Sequence, residues 1–402
     1  MRNVVAVVMV SLVFASSIGH AADAPRIFQS NGEDLAAAKA RAAKPDEGLK
    51  DALDEIRERA DKALGLKLVT VMDKPFTPPS GDKHDYMSLS PYWWPDKSKP
   101  DGKPYLRKDG EFNPDRAKYD LPHMEAQSDA AEVLAMHYYF TGDGKYAKRS
   151  AEILRAWFIT PATRMNPNCR YAQFIPGVEE EDRAAGVIET NRLRDVVDAD
   201  GLLAGSQHWS ADDSKQLKAW FKQFLTYLIE SEQGKKEQAA PNNHGTFWGV
   251  QAATYALYLD DTELAKKIIQ KHGPGRIAKQ IEPDGRQPEE LERTKAFDYS
   301  RYNILAHEDL AMLGERVGMN IWTYQSDDGR SLRKAIDWML PFMTGEAKWQ
   351  YKQISDPKMK EAATVLRRAA NAYNESKYEQ AISKMKDGAS DMTNLLFPAK
   401  TK

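Results

Sequence analysis

Residues 210–230 read SADDSKQLKAWFKQFLTYLIE, and this stretch sets the fold class. Leu217, Phe221, Phe224 and Leu228 recur at the spacing that stacks side chains on one helix face. Ser210, with Asp213 three positions on, is the signature of a capped helix start. The same rhythm runs upstream. Val133, Met136, His137 and Phe140 fall at i, i+3, i+4 and i+7, and Thr141-Gly142-Asp143-Gly144 ends that element. Ala147, Ala151, Leu154 and Phe158 repeat the pattern before Pro161. Further helices are expected over 249–259, 262–271, 302–317 and 331–343. No stretch sustains the alternation of a strand. Helices of similar length joined by short turns form antiparallel hairpins. A series of hairpins over this length predicts an all-α fold, an α/α toroid, whole or incomplete. No crisp repeat period marks the hairpins, so closure is inferred from length and rhythm.

The chain has 402 residues, with 57 Lys and Arg against 59 Asp and Glu and a formal net charge of −2. A nucleic-acid binder usually carries a clear basic excess, so that class is excluded. An acidic substrate is not excluded, because a few cations in a cleft suffice. Residues 1–21 have the layout of a secretory signal: Arg2, then an apolar run from Val4 to Ile18, then Gly19-His20-Ala21. Cleavage is expected after Ala21, giving a periplasmic or secreted protein with no membrane contact after processing. Cys169 is the only cysteine, so no internal disulfide forms, and it reads as a small buried hydrophobe.

Two stretches break the helical rhythm, 75–122 and 166–190. Loops this long are functional or disordered, and their aromatic content favours order. The first holds Ser88-Leu89-Ser90-Pro91-Tyr92-Trp93-Trp94-Pro95-Asp96, then Asp101 to Arg107. A Tyr-Trp-Trp cluster between prolines reads equally well as a sugar platform or as a loop stapled onto the helices. The tail after Asp356 is charged and reads as a terminal helix without chemistry.

The densest polar motif is Pro241-Asn242-Asn243-His244-Gly245-Thr246. It follows a charged, loop-like stretch (232–240) and precedes an apolar helix. Asn caps helices well, but two amides, an imidazole and a glycine together point also to chemistry. A second motif runs from Glu289 to Asn303 and holds Arg293, Tyr299 and Tyr302. A guanidinium there can fork onto a carboxylate, and a phenol can pass a proton. A solvated charged helix with a packed tyrosine is the plainer reading. Arg293 and Tyr299 are six apart, so they share a face only if the helix breaks between them. Phosphate-loop, dinucleotide, zinc-ligand and nucleophile-elbow patterns are absent from the sequence. No metal or other cofactor is expected.

These segments together resemble the alginate lyase superfamily, polysaccharide lyase families five and thirty-eight. The resemblance rests on Ser88 to Asp96 with Gly102 to Arg107, on Tyr138 to Asp143, and on Trp157 with Pro161 to Asn168. It continues through Tyr171-Ala172-Gln173, Pro176-Gly177, Asn242 to Thr246, and Arg293 to Asn303. The Ser-Pro-Tyr-Trp-Trp-Pro and Tyr-Ala-Gln segments look closer to family thirty-eight. The resemblance implies one toroidal lyase domain over 22–402 that cuts an acidic polysaccharide lying in a groove. It implies that Asn243, His244, Arg293 and Tyr299 are catalytic. The arginine of family five stands slightly further upstream of the tyrosine than Arg293 does. Asn242, Tyr92, Trp93, Trp94, Arg107, Tyr171, Gln173 and Tyr302 are expected to contact substrate.

β-Elimination from a uronate needs a neutraliser for the C5 carboxylate, a base for the C5 proton and an acid for the departing O4. Asn243 and Arg293 suit the first role, and His244 or Tyr299 the second. Tyr299 suits the third. A free tyrosine titrates near 10, so a basic Tyr299 needs positive charge beside it. Alginate is the expected substrate and glucuronan the alternative. Two other classes compete: a helical-toroid glycoside hydrolase, drawing on Glu180, Glu181, Asp182, Glu289 and Glu290, and a non-catalytic periplasmic sugar-binding protein.

Overall fold

The computed structural model describes residues 24–385 and 388–400. The expected signal segment and its cleavage point lie outside the described residues. Among the described residues no helix is long and apolar enough to cross a membrane.

Helices dominate. They are α1 (Gly32–Arg41), α2 (Glu47–Leu64), α3 (Asp120–Thr141), α4 (Gly144–Leu154), α5 (Leu193–Leu202), α6 (Ala211–Glu230), α7 (Glu232–Ala239) and α8 (Asn243–Tyr258). They continue as α9 (Thr262–His272), α10 (Pro274–Gln280), α11 (Pro288–Leu291), α12 (Ala296–Glu315), α13 (Leu332–Met343), α14 (Met359–Tyr373), α15 (Ser376–Lys384) and α16 (Asp391–Leu396). Neighbour contacts run α2, α3, α5, α8, α12, α14, α16 and back to α2. That circuit is the inner ring of an α/α toroid. Outside it, α4 packs on α3, α6 and α9 on α8, α13 on α12, and α15 on α14.

Burial separates inner from outer helices. In α6 the buried apolar residues are Leu217, Trp220, Phe221, Phe224, Leu225 and Leu228, the single stripe of an outer helix. The capping box expected at its start is present, Ser210 and Asp213 satisfying each other's backbone N–H. In α8 every residue except His244 is buried. A helix buried all round belongs in the middle of a fold, so the half-buried imidazole at its start stands out. One continuous apolar core runs from Ile27 to Leu395. The tail is therefore not a bystander. It forms three helices, and α14 buries Ala362, Val365, Leu366 and Ala369 in that core.

The two irregular stretches are ordered against each other. Strand β1 (Met87–Leu89) pairs in parallel with β4 (Tyr171–Phe174), and β2 (Trp93–Trp94) pairs antiparallel with β3 (Leu106–Arg107). Met87, Leu89, Tyr171 and Phe174 make a small second core beneath them. A buried ion pair, Lys74 Nζ to Asp120 Oδ2 at 3.0 Å, ties the start of the first stretch to the first residue of α3.

Candidate active site

Three local structures bring the site together. The first is the start of α8. Asn242 is the N-cap, its Oδ1 accepting from the His244 backbone N–H at 3.3 Å. The helix begins at Asn243, well before the expected residue 249, so Asn243 and His244 lie in its first turn. Asn242 thus caps the helix through its Oδ1. Its carbonyl and that of Pro241 accept from the Gln280 amide. Thr246 and Asn303 donate to the oxygen of the same amide, which also lies 2.9 Å from His307 Nε2. This buried network fixes the backbone that presents the pair. Gly245 has a different reason to be glycine. A Cβ there would overlap the Arg276 guanidinium and the Ala240 carbonyl, which are bonded to each other at 2.8 Å.

The second structure is α7, where a loop was expected. It buries Gln233, Gly234 and Glu237 on one face. Glu237 Oε1 lies 2.7 Å from His244 Nδ1. A carboxylate only accepts, so Nδ1 donates to it, and in the neutral imidazole the lone pair lies on Nε2. The sequence reading missed Glu237, although the i, i+1, i+4 spacing of Gln233, Gly234 and Glu237 marks a buried face.

The third structure is the break the Arg293–Tyr299 spacing required. Helix α11 ends at Leu291, a turn carries Arg293 and Thr294, and α12 starts at Ala296 rather than at 302. The turn folds back so that the Arg293 guanidinium carbon lies 3.8 Å from the Tyr299 ring centroid. Arg293 Nη2 also donates to Asp109 Oδ1 at 3.0 Å. Asp109 accepts further bonds from Arg107 at 2.9 Å and from Thr294 Oγ1 at 2.8 Å. Burial works against its charge, but these donors hold the Asp109 carboxyl well below its ordinary range. The Tyr299 hydroxyl lies 2.8 Å from that of Tyr92. Burial and Tyr92 push the Tyr299 phenol far above its ordinary value, and Arg293 pulls the other way without prevailing. Tyr299 therefore rests protonated.

Glu290 joins the first structure to the third. Its oxygens accept from the Asn243 backbone N–H at 2.6 Å and from Asn243 Nδ2 at 2.8 Å. Its carboxyl also feels the charges of Arg293 and His244. Across the same seam the rings of Phe247 and Tyr302 lie 4.2 Å apart, packing α8 on α12. Two polar atoms here are buried without a partner, Arg293 Nε and Asn243 Oδ1.

The remaining expected contacts divide. Tyr92 reaches the centre and Tyr302 borders it. Arg107 acts through Asp109. Trp93 pairs with Arg107 across β2 and β3. Trp94 donates its indole N–H to the Glu111 carbonyl and lies under Lys108, so it staples the loop. The stapled-loop reading of the Tyr-Trp-Trp cluster holds for Trp94. Tyr171 is 1% exposed and fills the second core, so it is a packing residue. Gln173 is buried with φ of 50°, its amide oxygen accepting from Arg183. Burial pushes the Cys169 thiol well up, as fits a structural cysteine. Of the carboxylates a hydrolase would need, Glu181 and Asp182 share Arg170 on the surface, Glu180 faces Lys103, Glu289 is exposed, and Glu290 lies under Asn243.

Fold and site together define the class, a toroidal polysaccharide lyase. The family model described as alginate lyase matches residues 70–349, and the chain belongs to that family. An alginate lyase from Bacteroides ovatus shares 38% identity and superposes with a TM-score of 0.89, covering 94% of this chain and 100% of that one. Alginate lyase A1-III from Sphingomonas species A1 shares 14% identity at a TM-score of 0.57, over 90% of this chain and 94% of that one. A variant of A1-III complexed with a tetrasaccharide gives 14% and 0.58, over 92% and 95%. At that distance the likeness speaks for the fold. A comparison with curated proteins gives no match.

Proposed function

We propose that this enzyme cleaves a 1,4-linked uronate polymer by β-elimination, alginate first and glucuronan second, and that residues 22–402 act as one catalytic domain in the periplasm. The observation that carries the chemistry is the Glu237–His244 contact on one side of the site and the protonated Tyr299 on the other. Glu237 engages Nδ1, which leaves Nε2 as the nitrogen free to face a substrate, and Tyr299 offers a protonated phenol.

In the reaction, Arg293 and Asn243 hold the C5 carboxylate and take up the charge that grows on it. His244 Nε2 accepts the C5 proton, the C4–O4 bond breaks, and a C4–C5 double bond forms. Tyr299 gives its proton to O4. Where the C5 proton and O4 lie on one face of the sugar, Tyr299 serves both steps only as a phenolate, so it must first lose the proton it holds at rest, with Arg293 stabilising the charge. Charge stabilisation of this kind is worth about 100- to 1000-fold per donor, and proton transfer a further 100- to 10,000-fold or so.

Purified protein is offered polymannuronate, polyguluronate and glucuronan, and near-ultraviolet absorbance of an unsaturated end is recorded. Silence on all three polymers would refute the proposal. Tyr299→Phe should abolish turnover with the fold retained.

A further inference from the structure

Glu290 is the one buried residue of α11, and it spends both oxygens on Asn243. The arrangement carries two penalties. Among the described residues no cation stands within ion-pair distance of this buried carboxyl, because Arg293 is engaged by Asp109. Asn243 Oδ1 is buried with no donor, while Nδ2, the group a substrate carboxylate needs, is turned inward to Glu290. One proton removes both. The oxygen and nitrogen of an asparagine amide exchange places by a half-turn about χ2, and each orientation is chosen by its hydrogen bonds. With a proton on Oε2, Glu290 donates to Asn243 Oδ1 and still accepts the backbone N–H on Oε1. Nδ2 then takes the position that has no protein partner, with both its hydrogens to give.

We propose that Glu290 is a positioning residue that holds a proton in the substrate-competent enzyme, and that this proton turns the Asn243 amide so that its NH2, not its carbonyl, meets the substrate carboxylate. The inference rests on the neutralising role given to Asn243 above. The titratable and charged groups around Glu290 are His244 of α8, backed by Glu237 of α7, and Arg293 of the turn before α12, backed by Asp109. Glu289 and Glu292 flank it on its own element. Burial pushes the Glu290 carboxyl up to about 7, against the pull of Asn243, Arg293 and His244. The proton is therefore exchangeable near neutrality.

Below about pH 6 the competent form dominates. Above about pH 7 it falls roughly tenfold per unit, and apparent affinity falls with it. The test is KM for polymannuronate against pH in wild type and Glu290→Gln. Glutamine keeps the acceptor for the backbone N–H and carries a permanent donor for Asn243 Oδ1. It should flatten the alkaline rise in KM, so that at pH 8.5 the variant binds about 30-fold better than wild type. A profile that Glu290→Gln leaves unmoved, or a KM raised at every pH in a folded variant, would overturn the proposal.

A second measurement needs neither turnover nor a folded Glu290 variant. Calorimetric titration of Tyr299→Phe protein with mannuronate oligosaccharide, in buffers of differing ionisation enthalpy, should show close to one proton taken up at pH 8. Adding Glu290→Gln should remove that uptake, and no uptake in the Tyr299→Phe protein would refute the inference. Wild-type turnover with an unmoved profile would sink this inference alone. Absence of unsaturated product from every uronate would sink the lyase reading as well.

Discussion

Arg293 carries two loads that one double variant can separate. Its guanidinium lies over the Tyr299 ring at 3.8 Å and pairs with Asp109 at 3.0 Å, with side chains 16% and 19% exposed. Arg293→Ala removes a donor aimed at developing charge, which costs on the order of 100- to 1000-fold in kcat. It also strips Asp109 of one charged partner. Breaking a fully buried pair costs about 3–5 kcal/mol, but Asp109 keeps Arg107 and Thr294, so about 1–3 kcal/mol is expected. For a chain this long that lowers Tm by a few degrees. The assay pairs near-ultraviolet product formation with thermal melting. In Arg293→Ala with Asp109→Asn the stranded carboxylate is gone. Tm should recover by half or more while kcat stays down. If turnover returns together with Tm, Arg293 acts only as a structural partner of Asp109, and its role toward substrate is wrong.

Glu237→Ala should cut kcat about 10- to 100-fold by releasing the His244 tautomer, and Glu237→Gln should restore much of it, because an amide oxygen still accepts from Nδ1; equal losses in the two variants would remove the positioning role. Gly245→Ala should cost at least about 2 kcal/mol, since the new methyl overlaps the Ala240 carbonyl and the Arg276 guanidinium; a melting curve within a degree of wild type would contradict it. Glu189 is buried against Tyr86 and Ser88, and burial raises its carboxyl from 4.5 to about 7. A folded value above the unfolded one contributes stability below about pH 4.5 that is lost as pH rises through 7, at most about 3 kcal/mol. Glu189→Gln should therefore melt higher than wild type at pH 8 and near it at pH 5, and the reverse order would show the carboxylate to be needed.

The fold was legible because helices announce themselves by period. The stripe of α6 and its Ser210–Asp213 cap stand in the structure as read. Helix starts were harder. Residues 243–248 and 296–301 carry polar groups inside first turns, so their helices were read as beginning six residues late. Polar residues at those positions are what a site on a helix end looks like before the fold is known. The candidate catalytic residues were legible as motif. Their partners were not: Glu290 lies 47 residues from Asn243, and Asp109 lies 184 from Arg293. A local reading ranks such acids as surface charge, because nothing nearby in the sequence says that folding buries them. Tyr171 failed in the opposite direction, an aromatic in a loop that a short parallel pairing turns into core.

Three of the four groups assigned to the reaction are backed by a carboxylate from another element: Glu237 behind His244, Asp109 behind Arg293, Glu290 behind Asn243. For a site that binds a polyanion this is costly. At an effective dielectric of about 20, two like charges about 8 Å apart repel by about 2 kcal/mol. Two of the three are offset. Asp109 has Arg293 and Arg107 on one oxygen. Glu237 has Arg276 nearby and meets an imidazolium once His244 has taken the C5 proton. Glu290 has no paired cation, and it touches the residue that must donate to the substrate's own carboxylate. Its charge can be removed only by a proton. The same proton turns the amide, so neutralising the floor of the site and arming its donor are one event.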